Sequence, residues 1–458
     1  MAPSDRRSPL VAGIDVATAD VRVTVAAGDG RVVATSSAPL ARPQRPAPGI
    51  SEQDAATWWP AVSRALREAL GPIDGEVVAV AVSATSGTVV LADGSGAPLG
   101  PALLYDDSRA PAPERWDWLL DQHGAGARAM HAWHASDLVV ARLTATSPPT
   151  DWSHALKTGY DPGAGRWGGA GAAADLRPEV LRPTSSAGTV CEEAAAATGL
   201  PAGCDVRLGM TDACAAQIGA GADRAGRFVS VLGTTLAVKG ASDDRIDDPA
   251  SGVYSHRHPD GWWLPGGASN TGAGPLAARF SHDELADLDG QAGAHGPASS
   301  ACYPLTRTGE RFPFAAQDAQ GFWTAPALGP VDEYRAVLEG VAFVERLGYE
   351  RLSRLGAPLA GPLRSAGGGS RSDVWTAIRA TVLRVPITRP ATATTSFGAC
   401  ILAAAGTLHP TLAGATDAMA DDACAPVEPV AAEGDRLEES YRRFVDAVTE
   451  RGWLPWPD

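Results

Sequence analysis

The sequence predicts an α/β protein made of two comparable halves, and three observations carry that prediction. A β-hairpin opens the chain: Val11 to Val16 runs out, Ala17-Thr18-Ala19-Asp20 turns, and Val21 to Ala26 returns. A second hairpin opens the other half, with Phe228 to Leu232 and Leu236 to Val238 joined by Gly233-Thr234-Thr235. Segments with helical apolar spacing complete the pattern at 54–70, 192–199, 212–221, 332–356, 371–383, 396–406 and 434–450. Two hairpins with acid or hydroxyl groups at their tips suggest an internal duplication around a nucleotide cleft, with a chance pair as the alternative. The halves meet near residues 222–228, giving expected domains at 9–225 and 226–458.

In chain order, residues 1–8 read as a disordered lead-in. The first hairpin is extended by a Gly28-Asp29-Gly30 turn into a third strand, Arg31 to Thr35. Asp15 falls at the end of its first strand, where a carboxylate is suited to hold Mg²⁺ through water, and Thr18 lies in the turn, near a phosphate. The Pro-rich stretch from Ala41 to Gly49 reads as an extended surface loop. Thr211 and Asp212 precede an Ala-rich run, where helix caps are favoured. The positive end of the helix dipole keeps a carboxylate there ionised, as a general base must be; a simple cap satisfies the same pattern. Gly233-Thr234-Thr235 offers close backbone approach, successive amides and two hydroxyls to an oxyanion. Three glycines before a helix, Gly367, Gly368 and Gly369, likewise admit a flat base or a phosphate, or form a plain strand-to-helix turn. The helix from Gly434 to Val448 is amphipathic and is expected to dock on the second domain.

Composition narrows the function classes. The 458 residues are 45% hydrophobic and 20% charged, enough for two large cores. A net charge of −15 argues against nucleic acid or an anionic membrane as partner, while a local nest of amides and a metal ion still permit ATP binding. Six cysteines (Cys191, Cys204, Cys214, Cys302, Cys400 and Cys424) lie scattered without a CxxC or His-rich spacing, which reads as a reduced cytoplasmic protein without structural zinc. No stretch has the length and apolarity of a membrane span. The sequence leaves monomer and homodimer open.

The strings VAVSATSGTVVLADGSGAPLGPALLYDDSRA, GMTDACAAQIGAG, SVLGTT and AGGGSRSDVW occur in an order that resembles the FGGY carbohydrate kinases, over about residues 10–410. DWSHALKTGYDPGAGRW, GVYSHRHPDGWWLPGGASNTGAG and YPLTRTGERFPF resemble the D-ribulose kinases of plants and cyanobacteria. The resemblance implies two actin-like (ribonuclease H-like) ATPase domains with a central cleft, mixed sheets flanked by helices, and ATP with Mg²⁺ as cofactors. It implies phosphoryl transfer to a ketopentose hydroxyl, with D-ribulose the first expectation. Xylulose kinase, another pentulose or pentitol kinase, and a catalytically impaired sugar- or nucleotide-binding regulator are the alternatives.

By the resemblance, Asp212 is the base. Asp15 and Thr18 match the first phosphate motif, with Asp15 toward the metal, and Gly233, Thr234 and Thr235 match the second. Gly367, Gly368 and Gly369, with Ser370 and Asp373 nearby, match the adenosine-side loop, and Gly267 is placed with the ATP contacts. Xylulokinases carry a Met-His pair where this chain has Ser83 to Thr88; Ala84, Thr85 and Asp107 are the expected sugar contacts beside Asp212, although Asp107 could instead pair with Arg109. One departure bears on activity. The family has Gly where this chain has Ala17, and a small pair where it has Ala19-Asp20. The methyl restricts positive φ, and Asp20 either turns inward against ATP or outward to solvent, the second being the expectation, with Arg22 in an ion pair behind the hairpin.

Overall fold

Two six-stranded sheets carry the fold, each built on a β-hairpin whose first strand has a parallel neighbour on its other side. The computed structural model describes residues 8–123, 128–169, 171–420 and 424–454; all but the last residue of the expected lead-in at 1–8 lies outside them. The first sheet consists of β1 (Leu10–Val16), β2 (Asp20–Ala27), β3 (Val32–Pro39), β4 (Val77–Ala84), β5 (Ser186–Thr189) and β6 (Asp205–Thr211). Its order is β5-β6-β4-β1-β2-β3, with β1, β4 and β6 parallel and the hairpin β1-β2-β3 antiparallel. The second consists of β7 (Phe228–Leu232), β8 (Leu236–Gly240), β9 (Tyr254–Arg257), β10 (Trp263–Ser269), β11 (Leu363–Ala366) and β12 (Ile387–Thr388), in the order β9-β10-β8-β7-β11-β12. Again an antiparallel hairpin and third strand lead, and parallel strands follow on the other side of the first. The two hairpins thus sit beside a parallel strand in both sheets, while the strand orders beyond them differ.

Burial explains why each hairpin sits inside its sheet. All seven residues of β1 are buried, because its β-branched and small side chains face covered surfaces on both sides. One face is covered by the helix Trp58–Leu70 through Trp58, Ala61, Val62, Ala65 and Leu66. The helix Thr395–Ala404 lies so close to β1 that a Cβ on Gly13 would stand 2.0 Å from the Ser396 carbonyl oxygen. Thr24 and Ser396 share a hydrogen bond of 2.8 Å there, and the Cys400 thiol donates to the Thr24 carbonyl at 3.1 Å.

That contact corrects the expected domain boundary. The compact units are residues 1–219 with 259–261 and 392–420, and residues 220–258 with 262–391 and 421–458. Residues 392–420, read from sequence as part of the second half, fold with the first. The physical reason is a close crossing of two small-residue helices: a Cβ on Gly398 would fall 1.8 Å from the Ala215 carbonyl oxygen of the helix Asp212–Gly219.

The helices expected from periodicity are found at Trp58–Leu70, Glu192–Thr198, Asp212–Gly219, Pro330–Arg354, Asp373–Leu383, Thr395–Ala404 and Gly434–Glu450. The last buries Leu437, Tyr441, Phe444 and Val448 in the second unit's core, the i, i+4, i+7, i+11 stripe of an amphipathic helix. Others carry no such stripe: Ala135–Thr144 is buried almost all round, and Trp152–Lys157 is only 6 residues long.

Candidate active site

In the first unit, three parallel strands end side by side. Val16 of β1 pairs with Ala84 of β4, and Ala84 pairs with Thr211 of β6, so the segments that follow them leave from one edge of the sheet. Outside the carboxyl ends of parallel strands is where α/β sheets place ligands. Asp212 begins its helix there, half-buried, with Oδ1 accepting from the Ala213 amide at 2.7 Å and its carbonyl accepting from the Thr395 hydroxyl at 3.3 Å.

Asp15, one residue before the end of β1, is buried, and its Oδ1 has no hydrogen-bond partner. Burial first, and then the charge of Asp212, push its carboxyl up to about 7; Arg22 pulls it down and Asp20 adds to the rise. The fold therefore brings Asp15 and Asp212 within electrostatic reach of one another. A buried carboxylate oxygen without a donor is costly unless something binds it. It is a hard donor of the type Mg²⁺ prefers, and Mg²⁺ is commonly held by one or two carboxylates plus phosphates. The residues thus fit the metal that the resemblance implies.

The departures at Ala17 and Asp20 take a definite form. The backbone at Ala17, Ala19 and Asp20 keeps negative φ and closes by an Ala17 amide to Asp20 carbonyl bond of 3.1 Å, so the turn does not require glycine. Asp20 does not simply point away to solvent. Arg22, the cross-strand partner of Asp15, holds the Asp20 carboxylate at 2.9 Å and reaches Asp15 at 3.5 Å. Arg22 is thus beside the site rather than behind the hairpin, and the extra charge is neutralised where it stands.

The sugar-side expectations divide. Thr85 lines a small hollow with Thr18, Thr88, Ala17, Gln53 and Trp58, which joins the first phosphate turn to the Ser83–Thr88 segment. Gln53 ties that hollow together, donating to the Thr18 carbonyl at 3.0 Å and accepting from the Trp58 indole at 2.8 Å. Ala84, in contrast, is sealed in the core at 0% exposure, so its methyl supports the strand and is not a contact surface. Asp107 is likewise a structural group. Its carboxylate accepts from Arg109 Nη2 at 2.7 Å and from the Ser51 amide at 2.8 Å, the pairing that the sequence left open.

In the second unit, Gly233-Thr234-Thr235 closes tightly, with the Gly233 amide donating to the Thr235 carbonyl at 3.0 Å and Thr234 exposed. A second loop braces it: the amides of Ala273 and Gly274 donate to the carbonyls of Gly233 and Thr234 at 2.8 and 3.0 Å. A Cβ on Gly272 would lie 2.5 Å from the Thr235 carbonyl carbon, so this approach demands glycine. The bracing loop hangs on Glu310, a buried carboxylate that accepts from the Ser269 hydroxyl, the Asn270 amide, the Tyr303 hydroxyl and the Arg311 amide at 2.5–2.9 Å. Sequence reading missed Glu310, whose partners come from separate segments.

The glycine loop follows β11, the parallel neighbour of β7. Gly367 has φ +89°, and a Cβ there would lie 2.6 Å from the Leu232 carbonyl oxygen, so the loop abuts the strand end leading to Gly233. Gly368 faces open space, whereas Gly369 packs on Leu232 and the Trp375 ring. Asp373 is exposed and paired with Arg389 at 2.7 Å. Gly267 is not with this loop. It lies within β10 opposite Val238, where a Cβ would meet the Phe312 ring at 2.2 Å, so this glycine serves core packing and not nucleotide contact.

Two family models match the chain: the N-terminal domain of the FGGY family of carbohydrate kinases over residues 10–123, and its C-terminal domain over residues 228–407. The chain belongs to the FGGY family. Among relatives of this FGGY chain, the xylulose kinase of Streptomyces rubiginosus is 30% identical over 308 residues, 57% of this chain and 60% of that one. A ribulokinase of Mycolicibacterium smegmatis is 29% identical over 255 residues, 50% of this chain and 44% of the relative. The chain thus spans about 60% of the length of the first of these. A solved xyloylose kinase from Brucella ovis superposes with a TM-score of 0.86 at 25% identity, covering 97% of this chain and 99% of that one. The fold class is the two-domain actin-like α/β architecture of FGGY kinases, with mixed sheets flanked by helices.

Proposed function

We propose that the protein transfers the γ-phosphoryl group of ATP to the terminal hydroxyl of a ketopentose, with D-ribulose as acceptor. The observation that carries the reading is the pairing of Asp212, a half-buried carboxylate at a helix start, with Asp15, whose buried Oδ1 lacks a donor, at one sheet edge. Asp212 accepts the hydroxyl proton as the sugar oxygen bonds to the γ-phosphorus and the bond to the ADP oxygen breaks. Such a base contributes on the order of 10²–10⁴ in rate. Asp15 would hold Mg²⁺, which when bound neutralises phosphate charge. Thr18 in the first unit, and the amides and hydroxyls of Gly233-Thr234-Thr235 in the second, are assigned to the phosphates, and Gly367-Gly368-Gly369 to the adenosine side.

D-Ribulose is preferred because the Ser83–Thr88 segment is small and rich in hydroxyls, with Ser83, Ser86 and Thr88 each holding a buried hydroxyl oxygen without a hydrogen-bond partner. D-Xylulose is the second reading, since the Streptomyces rubiginosus relative is named a xylulose kinase. An ADP-release assay with ATP and Mg²⁺ across a pentulose and pentitol panel separates them. Highest kcat/KM on D-ribulose is the expected result, and highest kcat/KM on D-xylulose replaces it. Thermal stabilisation by sugar without ADP release from any panel member would make the protein a binding regulator. Asp212→Asn is expected to abolish turnover while sugar binding persists; turnover like the wild type would remove Asp212 from the mechanism.

A further inference from the structure

The short helix Trp152–Lys157 brings a buried polar unit against the sheet edge described above, and neither the proposed mechanism nor the fold alone uses it. Asp151 caps the helix: Oδ1 accepts from the amides of Ser153 and His154 at 2.8 and 3.2 Å and from the Ser153 hydroxyl at 2.5 Å. Its Oδ2 accepts from His154 Nδ1. The side chains of Asp151 and His154 are 2% and 0% exposed, and Ser153 is equally buried.

Among the described residues, two side-chain bonds run from Ser153 and His154 to the strands that carry the site. β6 loses its regular register against β4 between Leu208 and Thr211, and the Thr211 amide donates to Ser153 Oγ at 3.0 Å. Since Ser153 gives its own proton to Asp151, its oxygen is free to accept there, and the chain Thr211 N–H to Ser153 O–H to Asp151 has one direction. Thr211 is the residue before Asp212. The other bond runs from His154 Nε2 to the Ala84 carbonyl oxygen at 3.2 Å, at the end of β4 where the Ser83–Thr88 segment turns away.

The ring of His154 therefore has an acceptor on each side, a carboxylate at Nδ1 and a carbonyl at Nε2. An imidazolium, with a proton on each nitrogen, satisfies both acceptors. Burial opposes that charge, but Asp151 outweighs it, and His154 stands above the ordinary histidine pKa; Asp137 adds to the effect. His134, whose ring lies 5.8 Å away, is engaged separately by Asp137, Thr150 and Thr158.

We propose that Asp151, Ser153 and His154 are positioning residues that set two edges of the sugar site from one carboxylate, Ser153 fixing the backbone that aims Asp212 and His154 fixing the strand end that presents Thr85. The inference rests on the assignment of Asp212 as the base. None of the three touches substrate; they act through Thr211 and Ala84. Misplacement of a reacting group by about 1 Å costs on the order of 10²-fold in rate, so loss of the Ser153 acceptor appears in kcat rather than in nucleotide affinity.

The test measures kcat and both KM values for the full-length protein with ATP, Mg²⁺ and the sugar it accepts, beside Asp212→Asn as reference. Ser153→Ala is expected to lower kcat tenfold or more with the KM for ATP within twofold. His154→Asn, whose amide nitrogen replaces Nδ1 but not Nε2, is expected to raise the KM for sugar about fivefold with the KM for ATP unchanged. Asp151→Asn keeps every hydrogen bond if His154 becomes neutral, its amide donating to Nδ1, and should retain kcat within threefold. Unchanged kcat in Ser153→Ala beside an inactive Asp212→Asn overturns the proposal and leaves the base intact. Parallel movement of kcat and both KM values in Ser153→Ala and His154→Asn overturns it as well, as the mark of a merely structural cluster. Where Ser153→Ala fails to fold, the sugar-KM shift of His154→Asn and the retained kcat of Asp151→Asn decide. Turnover like the wild type in Asp212→Asn removes the base reading, and this one with it.

Discussion

The two hairpins each pair with a parallel strand of their sheet, and the proposed phosphate contacts at their tips rest on different chemistry. The first works with charge: Asp15, Asp20 and Arg22 cluster at its end within the field of Asp212, and its turn has ordinary backbone angles. The second works with shape. Gly233, Thr234 and Thr235 carry no charge, and their geometry is held by backbone bonds from a loop anchored on Glu310. Two hairpins with the same place beside a parallel strand thus differ at their tips, one lined by charged side chains and the other by backbone amides and hydroxyls. Mutations in the first should change chemistry with little loss of stability, and mutations in the second should change affinity and stability together.

Among variants of the two hairpins, the largest expected effect is that of Asp15→Asn. Turnover should fall about 10²-fold or more, as for loss of an electrostatic stabiliser of transferred phosphate. The thermal midpoint without ligand should stay level or rise, because a buried carboxylate beside Asp212 is removed, and the midpoint rise given by Mg²⁺ with ADP should disappear; calorimetry with and without Mg²⁺ checks both. Next comes Gly272→Ala, whose methyl must displace the Thr235 backbone. Overpacking of this kind costs about 1–3 kcal/mol, and the KM for ATP should rise about tenfold, read by denaturant unfolding and initial rates. If this variant lost turnover at saturating ATP without losing stability, the contrast between the hairpins would fail.

Arg22→Ala should raise the KM for ATP about threefold, and more at low salt than at high, since the half-exposed guanidinium balances Asp15 and Asp20 through partly screened interactions. The smallest effect belongs to Asp20→Ser. With Arg22 already neutralising Asp20, the KM for ATP should move less than twofold; a tenfold gain in ATP affinity would mean that Asp20 opposes the nucleotide after all.

What could be read from the sequence follows the range of the interactions concerned. Both hairpins and the helix start at Asp212 were legible because alternation, turn residues and caps are local. Gly267, placed with the ATP contacts from sequence, instead makes room for the Phe312 ring, a partner 45 residues away that no local pattern records. Ala84 and Asp107 lie in the right segment, but which atoms face outward was set by Arg109, Ser51 and the core around β4. Residues 396–406 were recognised as helical, yet local spacing carries no record of which sheet a helix covers. The Asp151 unit shows the same limit most sharply. Asp-x-Ser-His could be read as a helix cap, while the partners of Ser153 and His154 lie 58 and 70 residues away.

The return of residues 392–420 to the first unit has a consequence for synthesis. A ribosome delivers β1 to β6 long before it delivers Thr395–Ala404, the helix that seals Gly13 and the floor under Asp212. Until then the surface of that sheet which packs on Thr395–Ala404 lacks its partner, although Trp58–Leu70 is already available to the other strands. The surroundings of Asp212 are thereby completed late, after every named strand of the second unit has been delivered.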